Sequence, residues 1–263
     1  LFVFQWMVGY FNIKLGGAWD MIPAFIRYPV MAISGVGPLW FIQMLWVFSL
    51  LLVVIRKIDS EDKFYMLCGK CNFFVILFLF LPLWGASQIL NMPVATTYRF
   101  GIYFVAFLIG YFIFSHDRIQ DKVQRIHLPM LMIAVGMGIA YTAFYFGRNY
   151  ADGSCLKSIF TNAYLWMAIL AILGCGKTWF NKTSKFAAYM TKSSFGIYIV
   201  HYLVVLSTCY FLKFYTALPV YAIYLIAILS VLIISPALYE LLKRIPILRY
   251  MVLGIQTEKI KEQ

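Results

Sequence analysis

The chain has 263 residues, of which 63% are hydrophobic and only 12% charged, and its formal net charge is +12. About a quarter of the residues of an ordinary soluble protein are charged, so this composition excludes a water-soluble domain. The sequence instead predicts a single polytopic membrane domain over residues 1–263.

Long apolar runs account for most of the chain. They cover residues 38–55, 73–90, 100–114, 128–147, 159–174, 194–212 and 218–242. A helix needs about 20 mostly apolar residues to cross a hydrocarbon layer of about 30 Å, and most of the runs approach that length. An eighth run, residues 1–13, is apolar from its first residue and has no initiator Met, so we expect the domain to be incomplete at its N-terminus. The predicted fold is all-α, a bundle of about eight transmembrane helices.

The loops between the runs alternate in positive charge. The segments 56–70, 118–125, 177–192 and 243–261 hold most of the 22 Lys and Arg residues. Because cytoplasmic loops carry the excess of Lys and Arg, these segments and the C-terminus are predicted to be cytoplasmic. An anionic inner leaflet then explains the net positive charge, and no nucleic acid partner is expected.

The first complete run carries a polar pair near its predicted external end. Trp40 and Gln43 are three residues apart and share a helix face. A Trp–amide pair suits stacking and hydrogen bonding against a sugar ring. The alternative is an interfacial Trp with a Gln that bridges two helices.

The next run ends in a second polar group, and a CxxC motif precedes it. The motif, Cys68 to Cys71, has no second pair and no His near it in sequence, so no metal is expected. Four polar or aromatic side chains share a face at the external end of the run, and they are predicted to line an outward vestibule: Trp84, Ser87, Gln88 and Asn91.

Arg99 opens the third run and shares a helix face with Tyr103 and Gly110. It either binds a sugar or an acidic group at the mouth of a cavity, or extends to the lipid headgroups. Gly110 is predicted to allow a close approach between helices.

The clearest polar face lies in the sixth run, where Ser194, Tyr198 and His201 are spaced by four and three residues. Ser193 or Ser194 is predicted to cap the helix, which places His201 about 10 Å inside it. Imidazole at this depth can act as a base or as a hydrogen-bond donor. The alternative is a histidine that only bonds a neighbouring helix.

Three segments, in order, resemble those of the acyltransferase 3 family of integral membrane acyltransferases. Residues 193–201, SSFGIYIVH, resemble its S-x-G-I-Y-hydrophobic-x-H segment. Residues 107–112, FLIGYF, resemble its F-hydrophobic-x-G-Y helix, and residues 39–45, LWFIQML, resemble its W-F helix.

The resemblance implies a protein of about ten helices in a bacterial cytoplasmic membrane. It implies transfer of an acyl group, most often acetyl, from cytoplasmic acyl-CoA to a hydroxyl of a cell-surface or lipid-linked glycan. The main catalytic His of the family lies in its first helix, and this chain has no counterpart. The resemblance therefore implies that the general base comes from a segment absent from this chain, and that His201 with Tyr198 orients groups in the membrane cavity. Among the residues of this chain His201 is the catalytic candidate, and the substrate-binding candidates are Tyr198, Ser194, Trp40, Gln43, Arg99 and Tyr103. Five bases are candidates to hold the phosphates of coenzyme A: Arg118, Lys122, Arg125, Lys182 and Lys185.

Two alternatives belong to other functional classes. One is a transporter or flippase for a glycan or a small solute, and the other is a catalytically silent scaffold. Ion-coupled carriers usually bury carboxylates, whereas nearly all of the ten Asp and Glu residues here fall in loops or at helix ends.

Overall fold

The computed structural model describes residues 2–34, 37, 40–93 and 97–253. Its α-helices are α1 (Phe2–Leu15), α2 (Arg27–Ser34), α3 (Trp40–Ile58), α4 (Lys63–Cys68), α5 (Phe73–Phe78), α6 (Phe80–Ala86), α7 (Phe100–Phe112), α8 (Asp117–Arg125), α9 (His127–Tyr145), α10 (Gly153–Leu156), α11 (Ile159–Cys175), α12 (Lys185–Tyr215), α13 (Val220–Arg244) and α14 (Pro246–Leu253). Two 3₁₀ turns (Trp19–Met21 and Ala24–Ile26) follow α1, and a π-helical turn (Gly176–Phe180) follows α11. A short antiparallel ribbon, β1 (Asn91–Pro93) and β2 (Thr97–Arg99), pairs Asn91 with Arg99.

The prediction of an all-helical membrane bundle is confirmed. Among the described residues, five helices are long and apolar enough to cross a membrane: α3, α9, α11 with its π turn, α12 and α13. A sixth crossing results if α7 and α8, which meet at a bend of 105°, count as one broken span. The other two predicted crossings are the 14-residue α1 and the interrupted pair α5–α6. Many large apolar side chains on α3, α9 and α13 are exposed, as suits helices that face lipid.

The chain divides into two compact units. The first comprises Leu1–Met44 and Thr183–Gln263. In it, α12 packs against both α13 and α1. One cluster of buried residues joins α12, α13 and α14 around Val200, Tyr239 and Leu253, and a second joins α1 to α12 through Val8 and Leu203.

The second unit comprises Leu45–Lys182. Its centre is α11, which packs against α9, α8 and α6. Trp166 of α11 is 1% exposed, and its Nε1 donates a hydrogen bond of 2.9 Å to the carbonyl oxygen of Ile76. That bond satisfies the one polar atom of the largest fully buried side chain in this unit. The single-domain prediction for residues 1–263 stays a prediction.

Helix α12 begins nine residues before the predicted apolar run. Ser184 is its N-cap, because the Ser184 Oγ accepts a hydrogen bond of 3.1 Å from the Ala187 backbone N–H. The prediction that Ser193 or Ser194 caps this helix is therefore wrong. The Ser193 Oγ lies inside the helix and donates to the Tyr189 carbonyl oxygen at 2.8 Å. Hydrophobicity marks where a helix enters hydrocarbon, whereas the cap marks where its backbone begins.

Gly196, in the SSFGIY segment, makes the close approach between α12 and α13. A Cβ at this position would overlap the ring of Tyr239, which is 2% exposed. No described atom lies within 4 Å of a Cβ built at Gly110, so the predicted close approach there is wrong for the described residues. Spacing alone does not tell which of two helical glycines faces another helix.

This difference predicts the outcome of a pair of alanine substitutions. Gly196→Ala is expected to lower the free energy of unfolding by about 1–3 kcal/mol, because the new methyl group must displace the buried ring of Tyr239. Gly110→Ala, the matched control, is expected to be neutral or slightly stabilising, since alanine favours the helix. Thermal unfolding of the two variants in the same detergent measures the difference. Equal midpoints would show that Gly196 does not set the α12–α13 approach.

Candidate functional site

His201 is half-buried on α12, and its tautomer follows from its hydrogen bond. The Nδ1 atom lies 2.6 Å from the carbonyl oxygen of Tyr198, one turn earlier. A carbonyl oxygen only accepts, so Nδ1 carries the proton of the neutral imidazole. The Nε2 atom therefore carries a lone pair, which is the form needed to accept a proton or a hydrogen bond from a substrate hydroxyl.

A chain of aromatic rings extends from this imidazole within the first unit. The Tyr198 ring centroid lies 5.4 Å from that of His201, and the ring of Phe41 meets Tyr198 edge-on at 6.4 Å. Trp40 in turn packs edge-on against Phe41 at 6.0 Å. The structure thus places the rings of Tyr198 and His201 together, and it connects Trp40 to them through Phe41. Phe41 was not among the predicted site residues, although it is the Phe of the W-F segment identified in the sequence.

Two other predicted residues of this unit lie at the margin of the ring chain. The Gln43 side chain is exposed on α3, one turn after Trp40. Ser194 is exposed on α12, and its Oγ donates to the Thr191 carbonyl oxygen at 2.9 Å. The Ser194 O–H therefore donates within its own helix, and a substrate could only donate a hydrogen bond to the lone pairs of this oxygen.

Arg99 belongs to the second unit, where it binds protein acceptors. Its Nη2 donates to the Leu156 carbonyl oxygen at 2.8 Å and to Asn162 Oδ1 at 2.9 Å. Burial lowers the pKa of the Arg99 guanidinium from its ordinary value, while nearby Tyr103 and Cys155 act in the opposite direction. The prediction that Arg99 and Tyr103 bind substrate stays a prediction.

Asn162, which is fully buried on α11, is the centre of this polar cluster. Its Nδ2 lies 3.2 Å from Ser87 Oγ, 3.1 Å from the Leu156 carbonyl oxygen and 2.8 Å from that of Ser158. We call Asn162, Arg99, Ser87, Gln88 and Trp84 the Asn162 network. This network could have been predicted in part from the sequence, because the side-chain amide of Asn162 lies within the apolar run 159–174 and needs a hydrogen-bond partner inside the protein.

The network ties α6 to the loop that precedes α11. Trp84 Nε1 and Gln88 Nε2 both donate to the Lys157 carbonyl oxygen, at 3.0 and 3.1 Å. Asn91 Nδ2 donates to the Ser87 carbonyl oxygen at 2.7 Å. The side chains predicted to line a vestibule therefore form hydrogen bonds with one another and with backbone carbonyl groups. These bonds hold the loop around Lys157 against the end of α6.

The described residues contain no cluster of three or more His, Cys, Asp or Glu side chains arranged to hold a metal ion. Within the CxxC motif, Cys68 is buried, and this burial raises the pKa of its thiol. A raised pKa lowers the thiolate fraction, so Cys68 is a poor nucleophile or ligand.

The five bases suggested for coenzyme A differ in their surroundings. Lys122 Nζ donates to the Cys71 carbonyl oxygen at 2.5 Å. The others are exposed: Arg118, Arg125, Lys182 and Lys185. Lys185 belongs to the first unit and the rest to the second.

Helices of membrane length whose apolar surfaces are exposed define an integral membrane protein. A family model described as "Acyltransferase domain", that of the acyltransferase 3 family, matches residues 1–240, and the chain belongs to this family. The resemblance seen in the three sequence segments is confirmed.

Curated relatives include the glucans biosynthesis protein C of Salmonella paratyphi B (strain ATCC BAA-1250 / SPB7), of Salmonella agona (strain SL483) and of Salmonella enteritidis PT4 (strain P125109). Each is 24% identical over 264 residues, which cover 90% of this chain and 66% of the relative. The chain thus spans about two thirds of the length of these relatives. No solved structure matches it.

Proposed function

We propose that this protein transfers an acyl group, acetyl in the simplest case, from cytoplasmic acyl-CoA to a hydroxyl of a cell-envelope glycan. Membership of the acyltransferase family supports acyl transfer. The name of the curated relatives, glucans biosynthesis protein C, supports a glucan as the acceptor. The loop charges support a cytoplasmic C-terminus in a bacterial cytoplasmic membrane.

The observation that carries the chemistry is the lone pair on His201 Nε2, fixed by the bond from Nδ1 to Tyr198. In the proposed step, Nε2 accepts the proton of the acceptor hydroxyl as the oxygen attacks the thioester carbonyl carbon. The carbon–sulfur bond then breaks and an oxygen ester forms. The leaving sulfur of coenzyme A takes the proton back from His201 Nε2 and departs as the thiol, which restores the neutral imidazole. Tyr198 and Trp40 present aromatic faces and polar atoms that suit a sugar ring.

The donor is proposed to bind through its phosphates, because exposed guanidinium and ammonium groups pair well with phosphate oxygens. Arg118, Arg125, Lys182 and Lys185 are exposed, whereas the ammonium of Lys122 already donates to a backbone carbonyl. Lys122 is therefore expected to contribute least of the five.

Labelled acetyl-CoA tests the proposal. Membrane vesicles from cells that carry the complete gene are expected to transfer label to the glycan fraction, and vesicles from a deletion strain are not. Absence of label with acetyl-CoA and with longer acyl-CoA donors would contradict acyl transfer. If glycan then also failed to reach the outer face in the deletion strain, a transporter or flippase would replace the proposal.

A further inference from the structure

An apolar groove of about 790 Å³ lies between α9 and α11 in the second unit. Small residues form much of its surface, including Ala134 and Gly138 of α9 and Ala168 and Ala171 of α11. A Cβ at Gly138 would lie 3.0 Å from the Tyr164 hydroxyl, so the tyrosine limits the depth of the groove there. The volume falls in the range typical of ligand sites, about 300–1,000 Å³.

The length and polarity of the groove suit a hydrocarbon chain. Its α9 wall extends from Leu131 to Ala143, about 18 Å of helix at 1.5 Å per residue, and Phe146 lines it just after the helix end. This exceeds half of the roughly 30 Å hydrocarbon layer. The hydroxyl of Thr142, one of the few polar groups in the lining, donates to the Gly138 carbonyl oxygen at 2.9 Å. An occupant therefore meets almost exclusively apolar surface.

One end of the groove is formed by Trp179, whose ring packs edge-on against His127 at 5.6 Å. Two bases follow or precede these residues closely in the chain, Lys182 and Arg125. Trp179 lines this end and is 47% exposed, as is common for an indole at the headgroup level. Lys177, in the same π turn, forms an ion pair with Asp121 at 2.6 Å, so the carboxylate balances its charge. Arg125 at the end of α8 and Lys182 after the π turn are exposed, and among the described residues neither forms an ion pair with a carboxylate.

We propose that the groove binds one membrane phospholipid with an anionic headgroup. One acyl chain lies along α9 and α11, and the phosphate lies near Arg125 and Lys182. Charge complementarity selects this occupant, because an apolar groove alone would take any chain, whereas the unpaired bases favour a net negative headgroup. The lipid site does not rest on the proposed acyl transfer, but the lipid and coenzyme A would compete for Arg125 and Lys182, which are two of the bases suggested for the donor.

Native mass spectrometry of the full-length protein, delipidated and then incubated with phosphatidylglycerol or phosphatidylethanolamine, tests the site. We expect one lipid per chain and a preference for phosphatidylglycerol. Ala168→Phe should abolish the adduct by filling the groove. Gly136→Phe, whose Cβ meets no described atom within 4 Å, adds the same ring on α9 outside the groove lining and should leave the adduct unchanged.

If Ala168→Phe does not fold, substitutions that remove the positive charges near the groove test the site instead. Arg125→Gln and Lys182→Gln, both on exposed side chains, should each reduce the phosphatidylglycerol preference about fivefold. Lys157→Gln, at the other end of α11, should not change it. A lipid adduct that survives Ala168→Phe, equal binding of the two lipids, or an adduct with the mass of coenzyme A would each overturn the proposal. So would a protein dimer that Ala168→Phe disrupts.

Discussion

Replacing Asn162 by leucine is expected to lower the free energy of unfolding by about 2–4 kcal/mol and the thermal midpoint by about 5–15 °C. Leucine has a similar volume, but it removes one of the two acceptors of Arg99 and the donor to Ser87. It also leaves the carbonyl oxygens of Leu156 and Ser158 without this partner. A half-buried guanidinium that keeps only the Leu156 carbonyl oxygen as acceptor accounts for part of the loss, and the unpaired groups around the buried position 162 account for the rest.

The measurement is thermal unfolding in a fixed detergent, and the matched control is Asn181→Leu. Asn181 is an exposed asparagine of the same unit, so its replacement should change the midpoint little. The double variant Arg99→Met with Asn162→Leu should lose less free energy of unfolding than the two single variants lose together, because it removes both partners of one hydrogen bond. Additive effects would show that Arg99 does not depend on Asn162.

Replacing His201 by asparagine is expected to reduce acyl transfer at least about a hundredfold, the usual effect of losing a general base. Asparagine keeps an N–H near the position of Nδ1, so the bond to the Tyr198 carbonyl can persist while the Nε2 lone pair is lost. Initial rates of label transfer from acetyl-CoA in vesicles, normalised to the amount of folded protein, measure the loss.

His127→Asn is the matched control for this substitution. His127 Nδ1 lies 2.7 Å from the Gln124 carbonyl oxygen, three residues earlier, which is the same local arrangement. Its replacement should leave the rate within about a factor of two. His201→Gln separates two roles, because its amide oxygen can accept a hydrogen bond from the acceptor but cannot take its proton. Full activity of His201→Gln would make His201 a positioning residue, and full activity of both His201 variants would exclude it.

The helical architecture follows from the apolar runs, since each of the eight runs contains a helix of the structure. The break between α5 and α6 was also open to prediction. Pro82 has no N–H to donate to the carbonyl oxygen of Phe78, four residues earlier, and its ring clashes with that carbonyl group. Helix α5 accordingly ends at Phe78. The start of α12 was not found from the main apolar run, because Thr191, Lys192 and Ser193 separate that run from the apolar residues of the first turns, and the cap is Ser184.

The candidate site was predictable in part. The spacing of Tyr198 and His201 places both on one face, and their rings do lie together. The role of Arg99 depended on a partner 63 residues away, Asn162, and local spacing carries no information about such long-range contacts. For the same reason, sequence alone could not show that Gly196 rather than Gly110 faces a neighbouring helix.

The most direct test of the central claim is the mass of the envelope glycan itself, compared between cells with the complete gene and a deletion strain. Acyl transfer predicts glycan from the first strain that is heavier by whole acyl groups. Mild alkali should remove the difference, since oxygen esters hydrolyse in base, and complementation with His201→Asn should not restore it. Glycans of identical mass from the two strains would contradict the assignment of this protein as a glycan O-acyltransferase.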